Sequence, residues 1–143
     1  MNQGNIMMSE QKIERMTKKG QRFIKSYSSK ALKASFVPFI SVPIIHGICV
    51  KLTSELNRIF GIKTTKSFGG EAFTNTVVGL IATPFMLIPL AGAFFAIAYV
   101  ESIGEAYLDA LTEVAKQSTE EELKDEKLMA QRIIKTLKSQ RRA

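Results

Sequence analysis

Residues 72–100 read AFTNTVVGLIATPFMLIPLAGAFFAIAYV and contain no Lys, Arg, Asp or Glu, although Glu71 and Glu101 stand directly at either end. As one helix these 29 residues would be about 43 Å long at about 1.5 Å per residue, more than the roughly 30 Å of a bilayer's hydrocarbon core. Length therefore permits a crossing. Pro84 and Pro89 oppose a single uninterrupted helix. Each removes a backbone donor and drives Thr83 or Ile88 out of α geometry. A break between Thr83 and Pro89 leaves two apolar limbs, each too short to span a bilayer alone. A kinked crossing, a re-entrant hairpin and a buried helical hairpin are the three forms open to them.

The remaining chain forms a charged collar around this stretch. A second charge-free run, ASFVPFISVPIIHGICV, covers residues 34–50, and Lys and Arg crowd both ends of a protein whose net charge is +7. Such a balance favours anionic partners, and the apolar centre favours lipid headgroups among them over nucleic acid, because the Phe residues lie mostly in uncharged runs rather than interleaved with cations. A single cysteine, Cys49, excludes an intramolecular disulfide and a Cys-rich zinc site. It is expected to pack as a small apolar residue. No secretory leader is expected at the polar start MNQGNIMMSEQ, which places both basic ends in the cytoplasm.

Residues 1–8 are expected to fray, and Ser9 is the expected N-cap of a basic amphipathic helix. Ile13, Met16, Phe23, Ile24 and Tyr27 follow at helical spacing, with Gly20 as a weak point. Lys12, Arg15, Lys18, Lys19, Arg22 and Lys25 form a candidate membrane surface, at about 1 kcal/mol per cation near an anionic leaflet. A solvated helix face is the alternative. The next helix is expected from Phe39 or Pro43 to Phe60, with Ile45, Ile48, Leu52, Leu56 and Ile59 on its apolar face and Gly61 as its stop. His46 has no second ligand or activating carboxylate nearby and is read as packing or capping.

A long helix is expected over residues 89–117. Its small residues recur at four-residue spacing: Ala98, Ser102, Ala106 and Ala110 in one row, Gly92, Ala96 and Gly104 in the next. Such rows let helix backbones approach closely. Glu101, Glu105, Asp109 and Glu113 form an acidic stripe on the same helix, read as a docking face for the Lys-rich N-terminal segment. Ser118 and Thr119, each three residues before a Glu, have capping-box spacing for a last helix with an apolar stripe through Leu123, Leu128 or Met129, Ile133, Ile134 and Leu137. The sequence thus predicts an all-α bundle around a proline-broken apolar hairpin. Its organisation is a basic segment (1–33), an apolar helical core (34–117) and a charged C-terminal helix (118–143).

The middle of the chain, about residues 31–115, resembles the YcjF-like, GTPase-associated family numbered 697 among domains of unknown function. The residues that carry the likeness are Pro38 and Pro43 opening a helix that ends at Gly61, then Ile88-Pro89 with Gly92, then Ile103-Gly104-Glu105-Ala106. Leu90 stands where that family has a further glycine. The resemblance implies a membrane-associated helical domain at a bacterial inner membrane, coupled in some members to a GTPase, and it supplies no catalytic residues. The functional expectation is a noncatalytic protein without cofactor or metal that scaffolds or regulates a partner, with membrane lipids, a GTPase or a second copy as partners. A holin-like pore former and a soluble bundle binding an acidic partner are the alternatives.

Overall fold

A computed structural model describes residues 7–34, 41–62, 77 and 93–142. Among these residues the fold is all-helical: α1 Glu10–Ala34, α2 Ser41–Ile59, α3 Ala93–Lys116 and α4 Glu126–Arg142, with a 3-10 turn at Glu122–Lys124. The proline break at 84–89 and Gly92 lie outside the described residues. Val77, from the first limb of the apolar stretch, is helical and fully buried. Among the described residues no helix is long and apolar enough to cross a membrane.

Local chemistry sets the helix ends. Ser9 caps α1 as the sequence predicts: its Oγ accepts from the Lys12 amide at 3.2 Å. The chain before it is tied down further than expected, since Met7 bridges to Thr119 and Met8 is buried. Gly61 ends α2 at φ 73°. Its amide donates to the Arg58 carbonyl at 3.0 Å and the Ile62 amide to the Asn57 carbonyl at 2.9 Å, a paired closure that needs a left-handed residue at position 61. The capping box forms at Thr119 and Glu122, but it closes the 3-10 turn rather than starting the last helix. The Thr119 amide donates to Glu122 Oε1 at 2.9 Å and the Glu122 amide to Thr119 Oγ1 at 3.1 Å. α4 begins later, where Asp125 Oδ1 accepts from the Leu128 amide at 3.1 Å.

Three helices share one core. Gly20 of α1 faces Leu108 of α3 and Leu56 of α2; one turn on, Gly104 of α3 faces Ile24 of α1 and Leu52 of α2. Thr17 and Thr112 hydroxyls lie 3.2 Å apart on the preceding turn. As α1 numbers rise, α3 and α2 numbers fall, so α1 is antiparallel to both, and α2 runs parallel to α3. Gly20, expected to weaken α1, instead sits at a close helix contact: an added Cβ would lie 2.8 Å from Leu108 Cδ1. α4 adds Met129, Ile133 and Leu137 to the same core, and Leu123 closes it from the 3-10 turn.

Candidate functional site

The register makes the two poles of the bundle differ in charge. At one pole lie the C-terminal end of α1, whose last turns carry Lys30 and Lys33, and the N-terminal ends of α2 and α3. The first ten residues of α2, SVPIIHGICV, and the first eight of α3, AFFAIAYV, carry no charge. At about 1.5 Å per residue these are about 15 Å and 12 Å of uncharged helix side by side. The chain entering α2 and the chain entering α3 are charge-free as well, since both helices start inside the two long uncharged runs. The opposite pole holds Glu120, Glu121, Glu122, Lys124 and Asp125.

The cations predicted as a membrane surface all lie on α1, and Lys12, Arg15, Lys18, Lys19, Arg22 and Lys25 are all exposed. The apolar face behind them is not free for lipid. Ile13, Ile24 and Tyr27 are buried against the other helices, and Met16 and Phe23 pack against that core. What α1 offers outward is charge. Lys12 Nζ reaches Glu120 Oε1 at 3.2 Å and Lys18 Nζ reaches Glu14 Oε1 at 3.2 Å, both exposed pairs of small energetic weight. Nearer the pole where the uncharged ends of α2 and α3 meet, Lys30 Nζ stands 4.4 Å from the centre of the Tyr27 ring, a cation on an aromatic face.

The acidic stripe of α3 faces the basic side of α1 across an open groove of about 600 Å³. Lys18, Arg22 and Lys25 line one bank; Glu101, Glu105 and Asp109 line the other; Ile24 and Leu108 form the floor. No hydrogen bond or ion pair joins the two banks among the described residues. The fourth acid, Glu113, pairs along its own helix with Lys116 at 3.6 Å.

Of the small residues on α3, Gly104 and Ala110 are buried, whereas Ala98, Ser102 and Ala106 are half-buried. The close helix contact therefore falls on the Gly104 row. Ala96 belongs to α3, its side chain and Gly92 lying outside what is described.

Among the described residues no group of three or more His, Cys, Asp or Glu is placed to hold a metal ion. Burial pushes the Cys49 thiol up to about 12, which keeps it protonated and unreactive. Tyr107 is likewise raised by burial, with its hydrogen bond to Asn57 acting in the opposite sense. Sequence reading missed this buried pair, because Asn57 falls between apolar positions with nothing local to mark its partner. It also missed the cluster in which Arg132 donates to Ser118 Oγ and Glu122 Oε2, both at 2.7 Å. Comparison of the chain with family descriptions, curated proteins and solved structures finds no match.

Proposed function

We propose that the chain is a noncatalytic helical protein that sits, by the pole where the uncharged ends of α2 and α3 meet, on the cytoplasmic face of a bacterial inner membrane, where it scaffolds or regulates a partner. The observation that carries this reading is the convergence of the uncharged ends of α2 and α3 at one pole, with the charged 118–126 segment at the other. Lipid is the environment in which such an end loses least by being uncharged. Lys30, exposed with its Nζ over the ring of the buried Tyr27, lies toward that pole, a cation positioned to meet anionic headgroups there. Lys12 lies 22 residues before Ala34, about 33 Å of helix, well beyond a Debye length of about 10 Å at 0.1 M salt. In this arrangement Lys25 is the nearest of the six cations to lipid, and Lys12, Arg15 and Lys19, which do not line the groove beside α3, serve a partner. A GTPase is the partner the family likeness implies.

Flotation of the full chain with vesicles containing anionic lipid tests the proposal. The chain should float, and it should still float at about 0.5 M salt, because seating by the uncharged ends of α2 and α3 is not screened as a basic face would be. A chain left at the bottom of the gradient ends this reading.

The exposed α1 cations, backed by a fully used apolar face, favour one second reading: a soluble bundle that holds an acidic partner. Salt-sensitive capture on an acidic protein, with no flotation, is its signature.

A further inference from the structure

From the groove between α1 and α3 we infer that the protein forms a twofold homodimer, with the dimer axis running along the bundle. Each bank carries three like charges at about one per helical turn: Lys18, Arg22 and Lys25 against Glu101, Glu105 and Asp109. The banks are equal in number and opposite in sign, and among the described residues no ion pair joins them within the chain, Lys18 pairing instead with Glu14 on its own helix. A surface of this kind is complementary to itself under one rotation only. A twofold axis lying in the interface parallel to the helices places the basic bank of each copy over the acidic bank of its mate. An in-plane axis perpendicular to the helices sets basic on basic and acidic on acidic, at a cost.

The heights match as well as the signs. Thr17 stands opposite Thr112, Gly20 opposite Leu108 and Ile24 opposite Gly104. Lys18 is thus level with Asp109, Arg22 with Glu105 and Lys25 with Glu101, each within about two residues, or about 3 Å of helical rise. A rotation about an axis along the bundle preserves height. It therefore makes three facing pairs twice over, within reach of Lys and Arg side chains. The same rotation leaves the uncharged ends of α2 and α3 in both copies pointing in one direction, as two molecules on one membrane require, although the charge pattern selects it without reference to lipid.

Sedimentation velocity of the full chain in detergent micelles tests the dimer without any vesicle. The parent should sediment as a dimer at about 50 mM salt and dissociate at about 500 mM, where the Debye length shrinks to a few ångströms. Arg22→Glu and Glu105→Lys each put two like-charge contacts into the homodimer and should weaken it by about tenfold or more. Their equimolar mixture should regain the dimer, since in the mixed pair every facing position is again opposite in sign. Pairing within one chain cannot give that rescue. A monomeric parent, a mixture that stays monomeric, or single variants that dimerise like the parent would each overturn the inference. Circular dichroism checks that both variants keep their helix content. Flotation of a strictly monomeric chain would leave the membrane reading standing and remove this one, and a dimer that never floats would do the reverse.

Discussion

The Tyr107 hydroxyl donates to Asn57 Oδ1 at 2.6 Å, and both residues are buried where α2 runs beside α3. Each is the other's escape from an unsatisfied polar atom in an apolar interior. Tyr107→Phe strands the Asn57 side chain and should cost about 1–3 kcal/mol in denaturant unfolding. Adding Asn57→Leu to that variant should recover part of the loss. If the single change leaves the unfolding midpoint where it was, the pair contributes nothing.

The two glycines at the helix contacts should respond differently to alanine. At Gly104 an added Cβ would lie 2.7 Å from Ile24 Cγ1 and 3.1 Å from Ile24 Cγ2, atoms next to the backbone that cannot swing away. Gly104→Ala should destabilise by about 1–3 kcal/mol through overpacking. At Gly20 the nearest atoms are the mobile ends of Leu108 and Leu56. Repacking there is offset by about 1 kcal/mol of helix propensity, so Gly20→Ala should be close to neutral. Thermal melts of the two variants side by side decide this, and equal losses would contradict the assignment.

Glu122 links stability to acid. The Thr119 amide bond first, then Arg132, holds its carboxyl below the usual carboxylate range, with burial opposing. A depressed folded pKa means that its stabilisation is complete above the ordinary Glu pKa and is lost as pH falls through the folded value. Melting temperature should therefore drop on acidification below the ordinary Glu range, and Glu122→Gln should flatten that part of the curve. A parallel profile for the variant would assign the acid sensitivity to other carboxylates.

Cys49 should resist thiol reagents in the folded chain and react fully once the chain is unfolded, because its side chain is wholly buried and its thiol is raised to about 12. The sign at high pH follows. A raised folded pKa keeps the proton on the native thiol, so stability falls as pH climbs from the unfolded cysteine value toward about 12. Cys49→Ser in an alkaline denaturation series isolates that contribution. Rapid labelling of the native protein would place the thiol at the surface instead.

Much of the helical framework is legible in the sequence because it depends on neighbours a few residues apart. Ser9 as a cap, Gly61 as a stop and the apolar spacing through Leu52 and Leu56 are local facts, and the structure keeps them. The start of α4 was misplaced for a reason equally local: Thr119 and Glu122 satisfy each other across a 3-10 turn, and Asp125 then supplies a second cap. Tertiary structure alone decided which glycines bring helices together, that Asn57 meets Tyr107 from 50 positions away, and that Thr17 meets Thr112 from 95. It also set three cations level with three acids across an open groove, and brought the uncharged ends of two helices to one pole. Helical periodicity records which face of a segment is apolar. Which residue of another segment lies opposite is fixed only when the helices pack, because the register follows from fitting Ile24 against Gly104 and Leu108 against Gly20.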